Sequence, residues 1–567
     1  MKKRWAARPV PRLELSEAPD AHGLPEPVAL LLARRGYSGP SLEKFLKPDM
    51  GEISSWRSPG GMQKAAERIA SAVRDGEKIL VHGDYDADGI TATAVVYLAL
   101  KRLGARVDYF IPDRFDDGYG LGDSSLDACS GAGARLLITV DCGVSDAEHI
   151  EALRAMGVET VITDHHQPGE RLPDACALVD PALDDEAPWS HLAGAGVAWM
   201  AMGGVYEILE GDPDYLQSLL QYVAAGTVAD VVDLVEDNRI IVSRGLELLR
   251  SAPFPGIRAL AASASIDIAK VNSTDLAYYI GPRLNACGRI GHAHDAVRLL
   301  LAESSREAEE LASRVESHNR RRRKLDRQVE AEVVRRAGEL HEPRCILMAD
   351  GNWHRGVIGI VASRLVSRFG VPSVMIALED GLGFGSARSV PGIPIHSILR
   401  DIQSRLGLMD SLGGHPMAAG FQLPAGNVEP LRAELCSVLS RESWDRHLGS
   451  VLYLDGGLEG EDLNAGTVRA LDLLEPFGKG NRRPVWLVRG AHPLSWKAVG
   501  RQRDHLSCSF RIGSETCRAI GFGLADKQSL LGGKVDLAFT LSMDTWRNDG
   551  SIQLMLEDIR RHRRAAR

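Results

Sequence analysis

From about residue 60 the chain alternates between short apolar runs and amphipathic stretches, and this alternation limits its fold more than any other feature. Strand-like runs stand at KILVHG, ARVDYFIP, RLLITVDCG, VETVITDHH and ACALVDP. Segments with helical periodicity, such as MQKAAERIASAVRDG and SDAEHIEALRAMG, lie between them. Such a pattern implies βαβ units and a parallel sheet, hence an α/β fold. In an open parallel sheet the carboxyl ends of the strands form the ligand-binding crevice.

At 567 residues the chain is too long for one core, and two to four domains are expected. An N-terminal segment over residues 1–55 precedes the first α/β domain at 56–300. Residues 301–340 are highly charged, lack proline, and read as a long connecting helix or two. A second α/β pattern over 341–445 starts at CILMAD and contains the glycine-rich pieces GFGSARS and GGHPMAAG. Residues 446–567 carry many short strand-like runs, including VWLVRG, HLSCSF and VDLAFTLSMD, as in a small β-barrel of the OB type.

Composition excludes several classes. No apolar stretch is long enough to cross a membrane, and the start, MKKRWAARPVPRLELSEAPD, has no apolar core of a secretory signal. The eight cysteines include no C-x-x-C pair, which argues against a zinc ribbon or disulfide scaffold and fits a reducing cytoplasm. The formal charge of −9 conceals local basic runs, NRRRRK at Asn319 to Lys324 and RRHRRAAR at the C-terminus.

One loop after a predicted strand is dense in acid. His82 to Thr93 read HGDYDADGITAT, with Asp84, Asp86 and Asp88 in alternation before Gly89. This resembles the start of an EF-hand, but position twelve, which must be a bidentate Glu, is Val95. Strand, acidic loop and helix instead form an α/β active-site loop. Asp141 follows LLITV, and Asp164, His165 and His166 follow VETVIT; Asp230 ends YVAAGTVAD and is read as another strand or loop end. A lone Asp after a strand is usually a helix N-cap, the reading given to Asp146. Four loops carrying oxygen or imidazole donors point to a metal site, with enough ligands for two divalent cations. Carboxylate mixed with imidazole suits manganese, and a metal pair about 4 Å apart clamps both oxygens of a phosphoryl transfer.

The series DYDADG, VDCG, DHH and VAD resembles the motifs of the DHH phosphoesterase superfamily. IPDRFDDGYGLG, GPRLNACGRIGHA, NWHRGVIGIVASRL, GFGSARSVPG, GGHPMAAG and EPFGKGNRRPVW extend the resemblance to RecJ-type single-strand-specific DNA exonucleases over nearly the whole chain. It implies a parallel-sheet DHH catalytic domain at 56–300, a DHHA1-type domain at 341–445 and an OB-like domain at 446–567. It also implies that Asp84, Asp86, Asp141, His165 and Asp230 bind two Mn²⁺ or Mg²⁺ ions, with Asp141 as the bridge. His82 is expected as a further ligand, and Asp88 one layer behind. His166 would face the scissile phosphate, and Asp164 would orient an imidazole.

Substrate contacts are expected from Arg114 and Tyr119, from Arg283 of GPRLN, and from Ser386 and Arg388, which resemble a pocket for a 5′ phosphate. In a strand, the last two side chains would share a face. The glycines near His415 would either let amides approach a phosphate or pack a turn. Asn319 to Lys324 would wall a DNA channel. Val232-Asp233-Leu234, where relatives usually have a proline near Asp233, and Cys287 depart from the family pattern without touching an expected ligand.

The resemblance implies a 5′-to-3′ exonuclease that degrades single-stranded DNA to mononucleotides in repair and recombination, excluding duplex by a narrow cleft. Single-strand-binding protein and a helicase are the expected partners. Two alternatives remain: a phosphodiesterase of the same superfamily acting on short oligonucleotides, cyclic dinucleotides or pyrophosphate, and a non-catalytic DNA-binding scaffold. The OB-like region weighs against the first alternative, and the complete ligand set against the second.

Overall fold

The structure, a computed structural model, describes residues 3–9, 23–183, 189–340, 343–544 and 549–562. The basic C-terminal run lies outside the described residues from residue 563 onward. The chain divides into two compact units. One holds the described residues within Leu13–Asn319 together with Gly466–Arg483, and the other holds the rest. Among the described residues no helix is long and apolar enough to cross a membrane.

The first unit is built on a five-stranded parallel sheet, in the order Arg106–Phe110, Lys78–Gly83, Leu136–Val140, Glu159–Thr163, Ala177–Val179. Side chains alternate across it. Ile79, Val81, Leu136, Ile138, Val140 and Val161 enter one core with Ala87–Arg102, Gly194–Ile208 and Leu220–Ala229. Leu80, Leu137 and Ile162 enter a second core on the opposite face with Ile150, Leu153 and Cys129. Burial on both faces explains why these runs are apolar throughout rather than alternating. After Lys78–Gly83 the chain adds one strand on one side and the next on the other, so Asp84 and Asp141 leave adjacent strands where the strand order reverses.

Ser305–Gly338 is a single helix of 34 residues, and the boundary between units falls within it. In the second unit a mixed sheet runs in the order Ser411–His415, Ala418–Pro424, Leu382–Arg388, Ser373–Glu379, Ile346–Asp350. The strands Trp486–Val499, His505–Ile512, Glu515–Gly521, Ile552–Arg561 and Val535–Met543 follow one another around a barrel, closed by pairing of the last with the first. Trp486, Phe510 and Phe539 fill it.

At two places the compact units cut across the expected domain ranges. Gly466–Arg483 belongs with the first unit, not with the barrel. Arg239 donates to the carbonyls of Leu474 and Glu475, and Ser273 Oγ to that of Phe477. The N-terminal segment is likewise divided, because Arg4–Ala7 pairs in parallel with Val451–Leu454 of the second unit.

Candidate metal centre

The acidic loop starts where the strand Lys78–Gly83 ends. Asp86 caps Ala87–Arg102 through Oδ1, which accepts from the amides of Asp88 at 2.8 Å and Gly89 at 3.2 Å. Gly89 is required because a Cβ there would stand 2.5 Å from the Asp84 backbone. On the neighbouring strand Asp141 holds φ +62°, a left-handed conformation uncommon outside glycine. Its amide donates to Thr163 O at 2.9 Å. Such strain persists where the surrounding structure imposes it, and it turns the carboxylate inward.

His165 Nε2 lies 3.1 Å from Asp141 Oδ1, 3.7 Å from Asp230 Oδ2 and 3.9 Å from Asp88 Oδ2. Three groups of potential ligand atoms gather within 4.8 Å: Asp84 with Asp86 and Asp141; Asp88 with His165 and Asp230; and Asp141 with His165 and His166. Asp141 and His165 each occur in two of them. Asp164 stands behind. Its Oδ1 accepts from the amides of His165 and His166 and from His166 Nδ1 at 2.8 Å, and its Oδ2 from the Val144 amide.

Burial raises the carboxyls of Asp84, Asp88, Asp141 and Asp230 well above their ordinary range, and mutual repulsion adds to it. Asp164 behaves oppositely. Burial opposes its charge, but the His166 hydrogen bond and charge hold it below the usual value. Burial also works against a charged His166, yet Asp164 and the surrounding carboxylates push it up to about 9. Asp84 Oδ1 is buried without a hydrogen-bond partner. An orphaned buried oxygen amid mutually repelling carboxylates, with imidazole alongside, is a donor set that divalent cations fit.

His82 does not join the cluster. It is fully buried, with Nε2 3.0 Å from Ser125 Oγ and Nδ1 3.5 Å from Cys142 Sγ, and burial pulls its imidazole down to about 4. Both nitrogens are occupied in tying the strand to its neighbours, which corrects its reading as a ligand. Asp230 is in place, but as the C-cap of the helix Leu220–Ala229 rather than at a strand end. Asp88 accepts from the amides of Gly194 and Ala195 at the start of Gly194–Ile208. Asp146 caps no amide of its own helix; it accepts from the Leu121 amide. Gly194 and Gly226 escaped the sequence reading: a Cβ at Gly194 would stand 2.5 Å from Asp141 Oδ1, and one at Gly226 2.6 Å from Asp88 Oδ1.

Around the cluster, the Tyr119 hydroxyl is 2.9 Å from His166 Nδ1. The Arg114 guanidinium lies over the Tyr85 ring, 4.8 Å from its centre. Arg283 is only 6% exposed; its Nε is 2.8 Å from Glu316 Oε2 and its Nη1 donates to Tyr279 O. A phosphate would have to compete with Glu316 for it.

In the second unit, Ser386 and Arg388 lie on the same face of Leu382–Arg388, with Arg388 Nη1 3.1 Å from Ser386 Oγ. A Cβ at Gly359, in the helix Arg355–Phe369, would stand 2.9 Å from Ser386 Oγ and 3.2 Å from Arg388 Nη2. His415 is exposed on the hairpin Ser411–His415 and Ala418–Pro424. Of its glycines, Gly414 has φ +134° and admits the chain past Ala418 O, whereas Gly413 and Gly420 face open space. In the run 319–324, Asn319 is buried and Arg322 turns inward to Asp326, leaving Arg320, Arg321, Arg323 and Lys324 exposed.

Fold and site together define the class, a DHH-type α/β domain bearing a carboxylate–imidazole metal centre. Residues 78–227 match the DHH family, N-terminal domain; residues 342–441 match the DHHA1 domain; and residues 454–558 match the RecJ OB domain. The single-stranded-DNA-specific exonuclease RecJ of Escherichia coli is 33% identical over 573 residues, spanning 97% of this chain and 98% of that protein. Its namesake from Bacillus subtilis is 34% identical over 538 residues, spanning 94% of this chain and 67% of that protein. The crystal structure of RecJ in complex with Mn²⁺ from Thermus thermophilus aligns with a TM-score of 0.85 and 30% identity over 99% of this chain and 80% of that one. The chain belongs to the RecJ family.

Proposed function

We propose that this chain is a metal-dependent exonuclease that hydrolyses single-stranded DNA from the 5′ end and releases mononucleotides. The observation that carries this reading is the convergence of Asp84, Asp86, Asp141, His165 and Asp230 at the point where the sheet order reverses. When bound there, a pair of Mn²⁺ or Mg²⁺ ions supplies Lewis-acid charge and a deprotonated water at neutral pH. Asp141, common to two of the ligand groups, would hold both ions. Asp164 holds His166 through Nδ1, which leaves Nε2 for the scissile phosphate. Asp164 also favours the charged imidazole, so His166 offers a proton to a phosphate oxygen. Arg114 and Tyr119 receive the neighbouring phosphate and base.

Ser386 and Arg388 form the pocket for the terminal 5′ phosphate, which sets polarity, with His415 as a further contact. Arg283 is retained as a second phosphate contact, conditional on release of Glu316. The barrel adds stacking and charge for the incoming strand. A helicase that supplies single strands and a single-strand-binding protein are the partners this activity calls for. The same family resemblance supports a role in repair and recombination.

The test is incubation of a 5′-labelled single strand, a matched duplex and dinucleotides with Mn²⁺. Release of labelled mononucleotide from the single strand alone supports the reading. Cleavage confined to dinucleotides would assign a short-oligonucleotide phosphodiesterase, and binding without turnover a scaffold.

A further inference from the structure

We propose that Tyr278, on a π-helical turn packed against the end of the helix that Asp230 caps, is a stacking platform for one nucleobase of the strand held at the metal centre. The proposal rests on the nuclease reading above and adds to it a base contact.

Leu276–Ile280 forms one turn of π-helix and runs directly into the helix Gly281–Ile290. Turns of this kind are rare and concentrate at functional sites. Leu276 and Ile280 anchor the turn in the core, while Tyr278 is 74% exposed and Tyr279 45%. The turn is firmly seated. A Cβ at Gly281 would lie 2.8 Å from the Cβ of Ala229, the residue before Asp230. Arg283 Nη1 donates to Tyr279 O at 3.0 Å. A rigid mount for an exposed ring is what a stacking contact needs, because little ordering is left to be done on binding.

A second observation concerns the residue that follows Asp230. Val231 is 60% exposed and holds φ +63°. A β-branched residue adopts that conformation only where its surroundings impose it. An exposed apolar side chain thus follows Asp230 directly, and the turn bearing Tyr278 packs against the residue before it, at the edge of a buried carboxylate–imidazole cluster. Carboxylates and bound cations serve phosphate and water but offer a base no surface. A neutral aromatic face holds any base without adding charge, which suits hydrolysis without sequence preference.

The experiment uses the full chain with Mn²⁺ and 5′-phosphorylated single strands carrying one abasic residue, placed in turn at each nucleotide near the 5′ end. At one position the missing base should slow the wild-type protein about tenfold, the scale of one base–aromatic stack. Y278A should be slowed to a similar degree on the intact strand and should no longer distinguish intact from abasic at that position. Y278F should behave as wild type. Equal slowing of Y278A on intact and abasic strands at every position, or no slowing at all, would overturn the proposal.

Absence of turnover by the wild-type chain would count against the nuclease reading instead. Binding in EDTA then decides the base contact. A strand carrying 2-aminopurine should be quenched by wild type and Y278F and not by Y278A, and equal quenching by all three would overturn it.

Discussion

The two sheets present their polar side chains in opposite ways. In the parallel sheet of the first unit the strands are buried on both faces, so the chemistry lies beyond their ends, in loops that turn Asp84, Asp86, Asp141 and His165 inward. In the mixed sheet of the second unit, the proposed phosphate contacts Ser386 and Arg388 stand within a strand. Gly383, Gly385 and Ala387 face the core, and Phe384, Ser386 and Arg388 the other side. Gly385 is needed because Phe421 fills the space where its Cβ would lie, 2.1 Å from the ring. Loop ends can gather many like charges around cations. A strand face holds two side chains about 7 Å apart at fixed spacing, which suits a single anion.

Removing a charge from each sheet should therefore have different consequences. Asp141→Ala deletes the side chain shared by two ligand groups. Turnover on every substrate should be lost while strand binding persists; wild-type rates would remove Asp141 from the centre. Arg388→Ala deletes one charge-assisted contact, with a cost of about 1.5–3 kcal/mol, or about ten- to a hundredfold. That loss should fall on strands with a 5′ phosphate. An equal loss with 5′-hydroxyl ends would break the contrast between the two sheets.

A subtler difference should appear in thermal melts of metal-stripped protein. Burial, followed by repulsion from Asp86, pushes the Asp84 carboxyl up to about 8, above its value in the unfolded chain. The folded state then binds the proton more tightly, so stability is fully present below the ordinary carboxylate range and falls as pH rises towards about 8. Asp88, Asp141 and Asp230 shift in the same direction. We expect the melting temperature of stripped protein to drop across that window and Mn²⁺ to restore it. A melting temperature that rises steadily with pH would contradict this electrostatic picture. The smallest effect is expected for His82→Asn, a loss of roughly 1 kcal/mol of stability from altered hydrogen bonds, with Mn²⁺ stoichiometry unchanged. Loss of a bound ion would restore His82 to the ligand set.

The centre was largely legible because each acid stands out at the end of an apolar run. Asp230 shows the limit of that signal. YVAAGTVAD is buried from Tyr222 to Val228, so it has no amphipathic face, and a short apolar run of this kind does not reveal whether it is helix or strand. His82 was misread because its position, two residues from Asp84, says nothing of Ser125 and Cys142. The placement of residues 466–483 was hidden for a similar reason. The bonds from Arg239 and Ser273 are made to backbone carbonyls, which carry no residue signature.

By itself the sequence determined the parallel sheet, the order of the domains and the residue types of the metal centre. Hydrophobic periodicity and motif spacing are local properties, and they survive in one dimension. Only the tertiary structure decided which nitrogens are already occupied, which arginine is buried against Glu316, and which tyrosine is left facing solvent on a braced turn. Those outcomes depend on partners distant in the chain, and burial sets whether a polar group remains available for chemistry.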